Sequence, residues 1–292
     1  MKPQPHWLNK DLYPFSSHWV NIDGDEIHYV DEGSGPIILF IHGTPEWSFG
    51  FRDLIKGLRD HFRCVALDLL GFGLSDKPLE GDYTVKAHTQ RLEKFIQLLD
   101  LKNLTLIAND FGGGIGLPYA IAHPENVSRI ILFNTWMRSL KGDQHFSRPA
   151  RLMDSWLGKI LYLRLNFPVT AIMPTAFGDK KKLTKEIHAH YKIALPNAAS
   201  RIAAYTFAKE LMNASDWWQS NWNQLPALKE IPVQIFWGMK DTFVPVTELE
   251  KWKLALPHAE IITFGDAGHF VQEEKSEEMV KEIKRFLGTE SR

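Results

Sequence analysis

The sequence predicts an α/β fold: a mostly parallel central sheet with helices on both faces and a helical cap inserted between strands. Three observations carry this. Apolar runs of strand length alternate with stretches of helical spacing from residue 37 to residue 133. From 138 to about 212 no strand-like run occurs, and helical patterns are broken by Pro149, Pro168, Pro174 and Pro196. Strand-like runs then return at 233–237 and 260–264. The division that follows is a core of residues 1–137 and 213–292, with the cap at 138–212.

Taken in order, residues 1–16 are polar and proline-containing and are expected to run over the surface. Residues 18–29 alternate around Asp23-Gly24-Asp25, a hairpin signal. Residues 37–41 are continuously apolar, as in a strand buried on both faces. His42-Gly43-Thr44-Pro45 follows directly. A helix is expected over 51–58 and a buried strand over 62–67, ending in a glycine-rich loop at 68–75. Helical spacing resumes at 85–99, and a further strand at 130–133 ends in Asn134-Thr135-Trp136. A closing helix over 276–287 carries Met279, Val280, Ile283 and Phe286 on one face.

Composition narrows the partners. The formal charge is −1 on 292 residues, so electrostatics gives no reason to expect nucleic acid. The single cysteine, Cys64, excludes an intrachain disulfide and reads as a small core residue. A reducing compartment suits it, and a cytoplasmic location is the expectation. The first ten residues hold no apolar segment and no run is long enough to span a membrane. Neither a signal peptide nor a membrane partner is expected.

The chemistry centres on residues 104–117, LTLIANDFGGGIGL. An apolar strand, a tight turn and an apolar helix, with a reactive side chain at the apex, form a nucleophile elbow. Here it reads Ala108-Asn109-Asp110-Phe111-Gly112, with aspartate at the apex. In such sheets the site lies at the carboxyl ends of the strands. Asp241, after the 233–237 strand, and His269, after the 260–264 strand, complete the chain order nucleophile, acid, histidine. A carboxylate is already a nucleophile at neutral pH and suits displacement at saturated carbon. The resulting alkyl ester is then open to water activated by His269, with Asp241 fixing the imidazole. Backbone N–H groups of Thr44 and Phe111 are the expected oxyanion donors. This scheme needs no metal or organic cofactor. His188 and His190, two apart, do not share a helical face and carry no metal-site signal.

The segments His42-Gly43-Thr44-Pro45-Glu46-Trp47-Ser48-Phe49, Asp110-Phe111-Gly112-Gly113, Asn134-Thr135-Trp136 and Gly268-His269 resemble those of haloalkane dehalogenases, members of the α/β-hydrolase fold. The resemblance covers nearly the whole chain. It implies cleavage of carbon–halogen bonds in small haloalkanes, with the halide ion as product and no cofactor. The family holds the departing halide between two N–H donors, at positions occupied here by Phe111 and Thr44. Replacement donors are sought among Asn109, Trp136, Trp156, Trp217 and Trp218. A tryptophan-rich cap implies a small, apolar substrate, and the chain is expected to be a monomer or homodimer. The runner-up is an epoxide hydrolase, for which Tyr162, Tyr191 or Tyr205 would protonate the opening ring. An α/β hydrolase of other specificity, or a ligand-binding relative without turnover, stands behind both.

Overall fold

The structure, a computed structural model, describes residues 4–289. Its sheet has eight strands: β1 (His18–Ile22), β2 (Asp25–Glu32), β3 (Ile37–Ile41), β4 (Arg63–Leu67), β5 (Leu104–Asn109), β6 (Val127–Phe133), β7 (Val233–Gly238) and β8 (Glu260–Phe264). The spatial order is β1-β2-β4-β3-β5-β6-β7-β8. Only the pairs β1/β2 and β2/β4 are antiparallel, and the remaining five are parallel. This is the architecture of the α/β-hydrolase fold.

Successive side chains of a strand point to opposite faces, so the buried strands feed two cores. In β3, Leu39 and Ile41 enter one core while Ile38 and Phe40 enter the other. The helices Val85–Leu98 and Phe111–Ala122 cover the first, through Leu92, Phe95 and Ile115. The helices Arg52–Leu58 and Ser276–Leu287 cover the second, through Leu54, Leu58, Met279 and Ile283. The parallel strands β3 to β8 all end on one edge of the sheet, and it is there that their connections deliver Asp110, Asn134 and Asp241.

Between β6 and β7 the described residues form no strand. The segment holds the helices Gln144–Met153, Trp156–Leu163, Lys185–Ile193, Ile202–Asn213 and Ser215–Trp222. The first two are started by side-chain caps: Asp143 accepts from the His145 N–H and Ser155 from the Gly158 N–H. Only Asp154 and Ser155 separate them.

The amino-terminal segment departs from expectation. It does not simply run over the surface: Leu8, Tyr13 and Phe15 are buried. The Tyr13 hydroxyl pairs with Ser48 Oγ at 2.5 Å, and its ring lies 5.3 Å from that of Trp47. The polar residues between them concealed three apolar side chains, which fill the second core beside Trp47 and Phe49. Among the described residues, no helix is long and apolar enough to cross a membrane.

Candidate active site

Strand β5 runs buried to Asn109, and the helix Phe111–Ala122 starts after a single intervening residue. Asp110 must therefore turn the chain alone. It does so at φ 52°, ψ −127°, a conformation that costs a non-glycine residue on the order of 1–3 kcal/mol. The turn is possible only because its neighbours are small. A Cβ on Gly112 would lie 2.1 Å from the Ile41 carbonyl oxygen, and one on Gly43 would lie 2.2 Å from Asp110 Oδ2. The elbow thus presses the Asp110 carboxylate against the backbone that follows β3.

That contact supplies a donor. The Thr44 N–H donates to Asp110 Oδ2 at 2.9 Å. The other oxygen, Oδ1, lies 3.5 Å from His269 Nε2. Phe111 opens its helix, so its N–H has no acceptor within the helix. On the far side of the imidazole, His269 Nδ1 is 2.7 Å from Asp241 Oδ2. The same Asp241 oxygen accepts from the Asn134 side-chain amide at 2.8 Å. Its Oδ1 accepts from the backbone N–H groups of Phe243 and Val244. Asp110, Asp241 and His269, three residues far apart in sequence, are brought into one chain of contacts. Burial pushes the His269 imidazole toward its neutral form, but the carboxylates of Asp241 and Asp110 outweigh it and raise its pKa well above the ordinary value.

A buried polar cluster that the sequence did not reveal lies beside this chain. The Gln272 side-chain amide donates to Glu46 Oε1 at 2.8 Å and to Asn109 Oδ1 at 3.3 Å. Glu46 stands two residues after Thr44, Asn109 adjoins Asp110, and Gln272 follows His269 by three. One amide therefore ties together the three segments that carry the site. Burial raises the Glu46 carboxyl to about 8, with Asp110 adding to the effect and His269 opposing it. No periodicity marks these positions; the only available signal was their closeness to the motifs.

Asp110 and His269 open on a cavity of about 290 Å³. Its wall is mostly apolar, with Phe111, Trp136, Phe146, Met153, Met173 and Phe270 among its members. Of the five replacement donors considered, only Trp136 borders it, and the Trp136 indole N–H is enclosed without a hydrogen-bond partner. Asn109 is turned away, donating to the Phe133 carbonyl at 3.1 Å. Trp156 is 76% exposed on the surface. Trp217 carries Lys86 over its ring, and Trp218 is buried behind the elbow helix, its Nε1 2.8 Å from where a Gly114 Cβ would sit. The sequence could not separate these tryptophans, because in each an apolar ring dominates the burial pattern.

The cap tyrosines also divide. Tyr191 is fully buried and its hydroxyl donates to Glu273, away from the cavity. The Tyr205 hydroxyl donates to the Met153 carbonyl at 3.0 Å. Only Tyr162 borders the cavity, and its hydroxyl has no hydrogen-bond partner among the described residues. Burial, with the Asp110 carboxylate, raises the Tyr162 pKa far above its ordinary value, so the group is a proton-bearing donor at neutral pH. Of the three tyrosines considered for epoxide opening, one, Tyr162, is therefore placed to reach a substrate in the cavity.

Comparison with known proteins agrees with this geometry. A family model described as the alpha/beta hydrolase fold matches residues 36–276. Haloalkane dehalogenase 2 of Mycobacterium tuberculosis is 36% identical over 281 residues, covering 95% of this chain and 96% of that protein. The cis-3-alkyl-4-alkyloxetan-2-one decarboxylase of Shewanella oneidensis is 31% identical, covering 94% and 89% respectively. Among solved structures, the haloalkane dehalogenase DatA of Agrobacterium tumefaciens superposes with a TM-score of 0.84 at 26% identity, over 94% of this chain and 96% of that one. On the elbow, the sheet order and these likenesses together, the chain belongs to the α/β-hydrolase family and is a haloalkane dehalogenase-like enzyme.

Proposed function

We propose that the protein hydrolyses a carbon–halogen bond in small, apolar haloalkanes through an alkyl ester on Asp110, beneath a cap formed by residues 138–212. The observation that carries this reading is the division of labour on the Asp110 carboxylate. Oδ2 is held by the Thr44 N–H, while Oδ1 faces His269 and the apolar cavity. Oδ1 attacks the carbon, the carbon–halogen bond breaks, and the halide leaves with its electron pair. Oδ2 then becomes the carbonyl oxygen of the ester. As water attacks the ester carbon, negative charge develops on that oxygen, where the Thr44 N–H already points, with the Phe111 N–H adjoining.

The electrostatics suit this order. In the free enzyme two carboxylates favour a protonated His269. Alkylation neutralises one of them, which lowers the imidazole pKa as the ester forms. His269 thereby becomes a base at the step that needs one. Asp241, saturated by Asn134 and two backbone donors, holds the imidazole in place. The products are an alcohol, a proton and the halide ion, with no cofactor consumed. Residues Asp110, His269 and Asp241 take the roles of nucleophile, base and orienter.

A second reading is favoured by one observation: beside the unpaired Trp136 indole, the cavity wall carries a free hydroxyl donor, Tyr162. A leaving oxygen suits that donor as well as a halide does. In an oxetan-2-one, attack of Asp110 on the saturated ring carbon bonded to the ring oxygen would break that carbon–oxygen bond, open the ring and release a carboxylate. Loss of carbon dioxide would then form the alkene and expel Asp110 unchanged, with no water consumed. Bromide and proton release from a panel of bromoalkanes, run beside carbon dioxide release from a cis-3,4-dialkyl oxetan-2-one, separates the two. Asp110-dependent bromide release supports the first reading. Alkene and carbon dioxide without bromide release would replace it with the second. Tyr162→Phe should lower turnover of whichever substrate is accepted by about tenfold, the scale of one hydrogen bond to a developing anion.

A further inference from the structure

The helices Gln144–Met153 and Trp156–Leu163 have two unlike faces. Inward, Pro149, Met153 and Tyr162 border the cavity. Outward, Leu152 is 39% exposed, Trp156 76%, Leu157 42% and Ile160 40%. Helical spacing explains the split: Trp156 and Ile160 are four apart on the side opposite Gly158 and Tyr162. A single exposed leucine needs no explanation, but four large apolar side chains on two consecutive helices do.

The charges around them are one-sided. Arg148, Arg151, Lys159 and Arg164 are exposed on the same two helices and their carboxyl ends. None of the four forms an ion pair among the described residues. Several arginines elsewhere are ion-paired: Arg52 holds Glu273, Arg63 holds Asp31 and Arg138 holds Glu248. The one exposed acid in this stretch is Asp154. Four cations against one anion stand out on a chain whose overall charge is −1.

We propose that this face of the protein rests on an anionic lipid surface, with Trp156, Leu157 and Ile160 in the headgroup region and the four basic residues on lipid phosphates. An exposed tryptophan, flanked by aliphatic residues and by arginines and lysine whose stems are apolar, is the composition that interfacial helices use. The attachment is peripheral. It places the apolar cavity one helix thickness from the acyl boundary, so an apolar substrate dissolved in lipid need not cross bulk water to reach Asp110.

The test is flotation of the full-length protein with vesicles of phosphatidylcholine alone and of phosphatidylcholine with phosphatidylglycerol. Binding should need the anionic lipid and should weaken as salt is raised. Each basic residue near such a surface is worth a roughly fivefold gain in partitioning. The Arg148→Glu/Lys159→Glu variant should therefore bind on the order of 25-fold more weakly or worse. Trp156→Ser/Ile160→Ser should also detach the protein, and the wild-type tryptophan emission shift on vesicle binding should shrink in it. Both variants should keep wild-type turnover of a water-soluble substrate, which shows that they fold. No flotation with either vesicle, or equal flotation with neutral ones, would overturn the proposal. So would a wild-type dimer that Trp156→Ser/Ile160→Ser converts to monomer, since a second copy would then cover the face.

Discussion

The side-chain amide of Asn134 and the imidazole of His269 meet on a single oxygen of Asp241, at 2.8 and 2.7 Å. Asn134 directly follows one strand and Asp241 follows the next, so a residue that carries no charge fixes the position of one that does. Asn134 also sits at φ 30°, a region asparagine tolerates better than most residues. A hydrogen bond to a charged group contributes about 1.5–3 kcal/mol. Asn134→Ala should therefore cut kcat by at least about tenfold on an accepted substrate, with KM little changed. Steady-state kinetics checks this; an unchanged kcat would mean that the backbone donors alone hold Asp241.

Removing the base should separate the two steps. Asp110→Ala should show no turnover, whereas His269→Phe should still form the ester and stall there. Intact-mass measurement after exposure to a bromoalkane should then show one alkyl group added, mapped to the peptide containing Asp110. An unmodified His269→Phe protein, from an enzyme that turns the substrate over, would remove the covalent scheme.

The pH dependence of the wild-type enzyme should carry the same signature. In the proposed scheme His269 must be neutral for ester hydrolysis but not for ester formation. At acid pH the second step should slow first, giving a burst of one equivalent of halide followed by a slow steady phase. Rapid-quench halide release across pH reads both phases. A burst that appears at alkaline rather than acid pH would contradict the role given to His269.

Glu46 makes a stability prediction with a definite sign. Its folded-state pKa, about 8, lies above the ordinary glutamate value of 4.5. The stability it contributes is present in full below the unfolded value and is lost as pH rises through the folded one. Wild-type protein should therefore lose stability relative to Glu46→Gln between about pH 4.5 and pH 8, by a few kcal/mol. Denaturant unfolding of the two proteins at pH 5 and pH 8 measures the difference. A constant difference would show that Glu46 is ionised throughout.

Phe111 is confined, with ring centroids of Phe207, Trp136 and Trp218 at 4.6, 5.0 and 5.8 Å. Placing a tryptophan there overfills the cluster, at a cost of about 1–3 kcal/mol. Phe111→Trp should lower the unfolding midpoint, and Phe111→Trp with Phe207→Leu should recover part of it. If Phe111→Trp alone is as stable as wild type, the cluster repacks freely.

Much of the fold was legible because its signals are local. Strand runs, the strand–turn–helix at Asp110 and the placement of Asp241 and His269 past later strands all follow from residues adjacent in sequence. Parallel connection then carries each strand end to one edge of the sheet, so the three residues meet. Burial on both faces of the sheet, visible as an unbroken apolar run in β3 and a largely apolar one in β5, belongs to the same class of signal. What depended on tertiary structure was everything set by contacts between distant segments. Sequence spacing could not tell that Tyr162 alone among three tyrosines faces the cavity, or that Trp136 borders it while Trp156 stands in solvent. Nor could it join Glu46, Asn109 and Gln272, or show that Tyr13 fills the core rather than lying over it. Periodicity reports which side of an element is apolar. It does not report which other element, or which surface, that side will meet, and in the residues between β6 and β7 that choice belongs to the packing of helices whose partners mostly lie in the same segment, tens of residues away.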